Sequence, residues 1–423
     1  MTTAVLFGSF AIFLLLSVPI GIALGLATLS TIIYTGSIPI LFLMKELVTS
    51  VDSFPIMAVP FFILAGEIMG KGGISERLFK FANSLVGNKT GGFAMAAVLT
   101  SMFFAAISGS APATVAAIGG IMIPAMVRQG YDKKFAAAVV ASAGSIGVMI
   151  PPSIPMVMYG VAGSTSIGDL FIAGIIPGIL VGLSLMAWAF IYSKKMGYSG
   201  TDEKTSLGNI FRTFWDAKWA LLIPVIILGG IYGGFFTPTE AAVIAVVYGI
   251  IAGMFFYKEL KFKDLPKLLS DSMLTTATIM IIVGSATAFG RLLTIEQIPN
   301  QVAQGMLNIS ENKYVIILLI SALLLLVGCF MDTLAAIIIL TPILLPIVIN
   351  IGYDPIHFGI IMVVNLAIGF ITPPLGVNLF VASGISGLSI EQISKAIIPF
   401  FLAMLIALAL ITFIPQISLI LLK

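Results

Sequence analysis

The chain has 423 residues, 59% of them hydrophobic and 9% charged, with a mean hydropathy of +1.16. This balance belongs to polytopic helical membrane proteins and excludes soluble and barrel classes. The formal charge of +3 decides little, because placement of Lys and Arg outweighs their sum in such a chain, and the single cysteine, Cys329, excludes a disulfide framework or thiolate metal cluster.

Residues 1–36 lack a basic leader and a small-residue cleavage motif, so they read as a retained first span. By the rule that about 20 apolar residues cross a bilayer, nine crossings fall near 4–34, 54–70, 133–163, 170–193, 218–236, 239–257, 272–292, 355–385 and 395–421. Two more apolar stretches, 91–128 and 314–349, are interrupted by Ser108-Gly109-Ser110-Ala111-Pro112 and Cys329-Phe330-Met331-Asp332-Thr333. Both read as re-entrant hairpins that enter and leave on one side. An amphipathic piece precedes each hairpin, 74–86 with Glu76, Arg77 and Lys80, and 295–307 with Glu296 and Gln301. These are either interfacial helices bracing a moving block or ordinary surface helices in the membrane plane. The longest polar region, 193–216, is too short for a soluble domain.

The runs 133–163 and 355–385 each contain a Pro-Pro pair, Pro151-Pro152 and Pro373-Pro374. Proline removes an amide donor and clashes with the preceding turn, so neither helix runs through intact. Carbonyls freed near Gly147 and Met149 then need other partners or a polar cavity. The two breaks belong to an internal repeat at an offset of 222 residues: Pro124 matches Pro346, Gly130-Tyr131-Asp132 matches Gly352-Tyr353-Asp354, Gly147 matches Gly369, and Pro177 matches Pro399. At that offset Ser110 falls on Asp332. Five crossings separate the two starts, an odd number, so the copies are inverted and the hairpin tips meet near mid-membrane, where inverted-repeat carriers build their sites.

Sidedness follows from the cations. The loops 71–92, 128–134, 194–218, 258–267 and 386–396 hold 17 Lys and Arg, and the opposite side holds Lys45, Arg291, Lys313 and Lys423. The positive-inside rule assigns the first group, with the N-terminus, to the cytoplasm and leaves the C-terminus outside.

At the first tip Ser108, Gly109, Ser110 and Thr114 supply hydroxyls and unhindered backbone, and Gly144, Ser145 and Gly147 do the same at the break. Hydroxyls and freed carbonyls give a small hard cation its oxygens without a buried negative charge, which points to sodium; close helix packing through small residues is the bland alternative. In the second copy Gly328, Met331, Asp332 and Thr333 face Gly369, Ile371 and Thr372. A carboxylate at membrane depth is costly unless partnered, so Asp332 ligates sodium, bonds a substrate hydroxyl or carries a proton, alongside a capping role on the following helix. Local positive potential from sodium and helix N-termini can hold a substrate carboxylate without a dedicated arginine. Ser153 and Asn378, just past the breaks, are candidate substrate contacts together with Ser110 and Asp332. Arg291 reads as an interfacial anchor, Glu67 as an ion-pair partner of Lys71, Glu240 as a helix-start residue, and His357 as a surface residue at a helix start. One histidine supports a proton relay poorly, and no catalytic residue is assigned: a serine hydrolase at Ser110 lacks a base within reach, and a passive channel has no need of two occluding tips.

With these motifs assembled, the chain resembles the large membrane subunit of TRAP transporters, the tripartite ATP-independent periplasmic carriers of the ion-transporter superfamily. The resemblance runs through Pro60-Phe61-Phe62-Ile63-Leu64-Ala65-Gly66, Phe103-Phe104-Ala105-Ala106-Ile107-Ser108-Gly109-Ser110, Gly147-Val148-Met149-Ile150-Pro151-Pro152-Ser153-Ile154, Thr237-Pro238-Thr239-Glu240-Ala241 and Gly369-Phe370-Ile371-Thr372-Pro373-Pro374. It implies an inner-membrane, sodium-coupled importer of organic acids such as sialic acid or C4-dicarboxylates, with an elevator motion. It implies two partners, a small four-helix membrane subunit, here a separate chain, and a periplasmic substrate-binding protein. Carry-over puts Ser108, Ser110, Gly144, Ser145 and Gly147 in one sodium site and Gly328, Met331, Asp332, Thr333, Gly369 and Thr372 in the other; the chain departs from the family at Ala111, where a second serine is common.

The expected fold is an all-α polytopic membrane protein with inverted repeats, two re-entrant hairpins and two broken helices. Its division is scaffold 1–70, arm 71–90, transport half 91–169, connecting helices 170–292, arm 293–312, transport half 313–394 and a last helix 395–423. Sodium is the coupling ion, no organic cofactor or nucleic acid is implied, and the surroundings are lipid bilayer. The competing reading is a stand-alone anion carrier of the same superfamily that works without a binding protein.

Overall fold

A computed structural model describes residues 2–36, 38–200, 206–310 and 312–422. Lys204 and Lys423, counted above in the charge asymmetry, lie outside the described residues. Among those residues the chain is helical throughout, as composition requires of a lipid-embedded backbone that must satisfy its own hydrogen bonds.

The first apolar run departs from the expected single crossing. It forms α1 (Thr2–Leu15) and α2 (Ile20–Thr35), which pack side by side, with Ser17 at φ 60° and Pro19 between them. The chain therefore doubles back within this run. Next come α3 (Ile40–Thr49), a 3-10 turn and α4 (Ala58–Lys71), and then α5 (Ile74–Val86), which leaves the preceding helix at 70° through Gly73, φ 74°. The amphipathic piece read before the first hairpin thus forms with the bounds its pattern gave. It buries Ile74, Leu78 and Ala82 against neighbouring helices.

The first hairpin is α6 (Gly92–Ser108) and α7 (Ala111–Arg128), packed on each other. The first broken helix is α8 (Lys133–Gly144), a 3-10 turn Ser145–Val148, the Pro-Pro pair, and α9 (Ile154–Ala162). Then follow α10 (Ile167–Met196), α11 (Leu207–Tyr232), α12 (Pro238–Ile251) with a π turn at its end, the long α13 (Leu265–Ile295), and α14 (Ile298–Ile309) in the second amphipathic piece. The second hairpin is α15 (Lys313–Phe330) and α16 (Thr333–Asn350); the second broken helix is α17 (Pro355–Gly369) and α18 (Val377–Ser386); α19 (Ile390–Phe413) and α20 (Gln416–Leu419) close the chain.

Both copies start their broken helix with the same chemistry. Asp132 Oδ1 accepts from the amides of Lys134 and Phe135 at 2.8 and 3.0 Å, and Asp354 Oδ1 from those of Ile356 and His357 at 2.8 and 3.0 Å. Each satisfies two amides that a helix start leaves orphaned. The first halves of these helices form the centre of the molecule: Phe135 to Gly144 and His357 to Gly369 are buried without interruption. His357 is therefore a core residue, 1% exposed and stacked on Tyr353, and not the surface residue expected from its helix-start position. The copies also exchange their second halves, α9 packing on α16 and α18 on α7 and α8. Small residues permit this: a Cβ on Gly119 of α7 would come within 3.1 Å of Ile385 Cδ1 of α18.

Candidate functional site between the hairpin tips

A cavity of about 600 Å³ lies where the four interruptions meet. Ser108, Gly109 and Ser110 of the first tip and Asp332 and Thr333 of the second line it, with Ile154 and Phe370 from the two breaks. Its far wall is Glu67 on α4 and Thr275, Thr278 and Ile282 on α13.

The first tip is held by contacts between backbone atoms. Gly109 sits at φ 60° and a Cβ there would come within 2.8 Å of the Pro152 carbonyl oxygen, so glycine is required for both reasons. Its carbonyl accepts from the Ile154 amide at 3.3 Å, joining the tip to the chain just past the break. Thr114 Oγ1 donates to the Ser110 carbonyl at 2.8 Å and lies 2.9 Å from Ser108 Oγ. Gly147 of the 3-10 turn packs directly on these groups, since a Cβ on it would be 2.5 Å from both the Ser110 carbonyl oxygen and Thr114 Oγ1. Ser108, Ser110 and Gly147 are thus brought together, with Thr114 as a fourth member. Gly144 and Ser145 lie one layer behind, both buried.

The second tip repeats the plan. Leu375 donates its amide to the Cys329 carbonyl at 3.2 Å, again joining tip to break, and Gly369 meets Gly328 backbone to backbone. Asp332 Oδ1 accepts from the Leu334 amide at 2.9 Å and caps α16, while its carboxylate lines the cavity. Thr372 Oγ1 donates to the Ile368 carbonyl at 2.8 Å, and Met331 is half-buried in extended conformation beside the tip. Among the described residues no group of three or more His, Cys, Asp and Glu converges. The donors gathered at both tips are hydroxyls and carbonyls with one carboxylate, a set that fits a hard monovalent cation carried as cargo.

Residues 7–417 match the family described as Tripartite ATP-independent periplasmic transporter, DctM component. The chain belongs to this family. It is similar to the isethionate TRAP transporter permease protein DctMQ of Oleidesulfovibrio alaskensis, 55% identical over 98% of this chain and 65% of that protein, so it spans about two thirds of that relative. It is also similar to the C4-dicarboxylate TRAP transporter large permease protein DctM of Rhodobacter capsulatus, 40% identical over 99% and 98% of the two chains. The sialic acid TRAP transporter large permease protein SiaM of Vibrio cholerae is 39% identical over 95% and 94%. Among solved structures, the Alcanivorax borkumensis YdaH transporter shares the fold, with a TM-score of 0.63 at 15% identity over 88% of each chain. Its relatives are permeases and not enzymes.

In this DctM permease two candidate substrate contacts take other places. Ser153 is fully buried; its Oγ donates to the Val148 carbonyl at 2.6 Å and accepts from the Met156 amide at 3.3 Å, capping α9. Asn378 is also fully buried and donates Nδ2 to the Ala141 carbonyl at 3.0 Å and to Ser145 Oγ at 3.2 Å, tying α18 to α8. Neither lines the cavity. Glu67 does, and among the described residues no ion pair joins it to Lys71. A Cβ on the neighbouring Gly66 would lie 3.5 Å from Ser108 Cα, so α4 packs on the first tip beside Glu67. Arg291 pairs with Glu46 at 3.0 Å, a partner from a helix that hydropathy alone did not mark. Glu240 forms a reciprocal cap with Thr237, as its helix-start position implied.

Proposed function

We propose that this permease is the membrane-translocating subunit of a sodium-coupled, binding-protein-dependent importer of small organic acids, working as an elevator. The observation that carries the reading is the meeting of both tips and both breaks on one cavity, opposite a wall formed by α4 and α13. Cargo held among the tips travels with the block α6–α9 and α15–α18, and α13 stays with the scaffold. Sodium is held at the first tip by Ser108, Ser110, Gly144, Ser145 and Gly147, and at the second by Gly328, Met331, Asp332, Thr333, Gly369 and Thr372, so that the acid and its cations cross as one nearly neutral load. That coupling makes charge compensation by sodium the reason a site without Lys or Arg takes an anion.

The partners in this reading are a periplasmic substrate-binding protein and a small four-helix membrane subunit, as the tripartite family name and the names of its relatives suggest. The setting is the bacterial inner membrane, with the Lys- and Arg-rich loops in the cytoplasm and the C-terminus in the periplasm. The cargo class is a short sulfonate or carboxylate, with isethionate first in order of the relatives' identity and C4-dicarboxylates and sialic acid after it.

The test is uptake of radiolabelled isethionate, succinate and sialic acid by the reconstituted two-subunit complex, with and without its binding protein, under imposed sodium or proton gradients. Sodium-driven uptake of one acid that needs the binding protein supports the reading. Uptake by this chain alone indicates the stand-alone carrier, and uptake driven only by protons removes the sodium assignment.

A further inference from the structure

A second cavity, about 350 Å³, lies further along α13, towards its C-terminal end. The main cavity uses Thr275 to Ile282 of that helix, and the second uses Val283 to Thr294. At a rise of about 1.5 Å per residue, Thr278 and Arg291 stand about 20 Å apart along the axis.

The two ends have opposite electrostatics. Glu67 and Asp332 line the main cavity, and no Lys or Arg does so among the described residues. At the second cavity Arg291 offers a guanidinium whose side chain is 64% exposed, while the carboxylate that pairs with its Nε, Glu46 Oε2 at 3.0 Å, belongs to a side chain only 5% exposed. The pair therefore hides the anion and presents the cation. Among the described residues no second carboxylate pairs with that guanidinium, so its Nη edge is open. Two parallel N–H groups on that edge match a carboxylate or sulfonate in bidentate fashion. The Ser50 hydroxyl, buried and without a hydrogen-bond partner among the described residues, lines the same cavity as an additional donor.

The cavity is closed on its block side by Met158 and Val161 of α9 and by Ile338 and Pro342 of α16. These are the helices whose first residues face the main cavity. Gly290 passes α16 closely, a Cβ there lying 3.5 Å from Pro342 Cγ and 3.8 Å from the Ile338 carbonyl oxygen. Sliding α16 along α13 by five to nine residues, about 8–14 Å, brings Asp332 and Thr333 level with Gly290 and Arg291. An acid lying between the tips then meets the open guanidinium edge.

We propose that Arg291 is the anion receptor of the opposite-facing state, binding the carboxylate or sulfonate of arriving cargo at the periplasmic end of α13. This rests on the elevator reading above. Release follows at the other end, where the wall carries Glu67 and no cation.

The experiment uses the full complex in proteoliposomes with binding protein loaded with isethionate or succinate. Arg291→Gln is expected to raise the half-saturating concentration of loaded protein about tenfold or more, with maximal rate within about twofold, as loss of one charge-assisted bidentate contact predicts. Arg291→Lys recovers part of this. Glu46→Gln breaks the same ion pair but keeps the cation, and is expected to leave half-saturation unchanged or lower it. An equal rise for Glu46→Gln and Arg291→Gln would identify a mere tie between α3 and α13 and overturn the proposal, as would wild-type half-saturation in Arg291→Gln. Liposomes with and without phosphatidylglycerol separate cargo from lipid: if the Arg291→Gln effect exists only with the anionic lipid, a headgroup phosphate occupies the site and the proposal fails. Wild-type uptake that ignores the sodium gradient would sink the coupling reading while leaving the half-saturation comparison intact.

Discussion

Gly147→Ala is the sharpest single test of the first tip. The added Cβ would lie 2.5 Å from the Ser110 carbonyl oxygen, assigned to the proposed cation site, and 2.5 Å from Thr114 Oγ1 beside it. Ordinary contact needs about 1 Å more than this, and the neighbour is backbone fixed by the Gly109–Ile154 hydrogen bond, so the tip itself must shift. Overpacking of this kind costs about 1–3 kcal/mol. Borne by the cation-bound arrangement, that is a factor of about 5 to 150 in half-saturating sodium, at about 1.4 kcal/mol per tenfold. The control is Gly120→Ala on α7 of the same hairpin, where a Cβ meets nothing within 4 Å. It is expected to leave sodium dependence alone and to stabilise the helix by up to about 1 kcal/mol. The assay is uptake against sodium concentration in proteoliposomes, paired with thermal unfolding of purified protein. If Gly147→Ala inserts, folds and keeps wild-type sodium dependence, the packing of break on tip does not shape a cation site.

Asp332→Asn keeps an oxygen to accept the Leu334 amide but removes the charge; it is expected to hold its melting temperature and lose sodium-driven uptake, whereas Asp332→Ala loses uptake and about 1 kcal/mol of capping as well. Full uptake by the asparagine variant would take the carboxylate out of the mechanism. Glu67→Gln removes a carboxylate from the cavity wall. It is expected to tighten binding of succinate from the side to which this cavity opens about fivefold, the size of one charge repulsion of about 1 kcal/mol in a wet site, read by counterflow. Unchanged counterflow affinity would show that the cargo never approaches Glu67. Thr237→Ala removes the half of the reciprocal cap in which Thr237 Oγ1 accepts from the Glu240 amide at 3.3 Å. A melting loss worth about 1 kcal/mol with unchanged transport constants is expected, and altered half-saturation for cargo or sodium would refute a purely structural role.

What the sequence by itself determined was whatever local backbone chemistry and periodicity encode. Apolar run length marked the helices, the Pro-Pro pairs marked the breaks, and the offset of 222 residues paired the two halves; the matched caps of Asp132 and Asp354 are that repeat seen in atoms. Pairing of tip and break within each half was also legible, because Gly109 and Gly147 are needed for close backbone approach wherever the chain goes next. Only the tertiary structure decided which side chains face the cavity. Ser153 and Asn378 stand next to the breaks in sequence yet turn inward to cap α9 and to bind α8, while Glu67 arrives just past the Pro60–Gly66 motif on α4 and Thr275 and Thr278 from α13, which carries no motif. It also turned the 4–34 run back on itself at Ser17, buried His357, and gave Arg291 its partner on α3. The physical reason is common to all of these: a helix's existence is written in its own residues, but its rotation about its axis and the neighbour it meets are fixed by packing against segments hundreds of residues away.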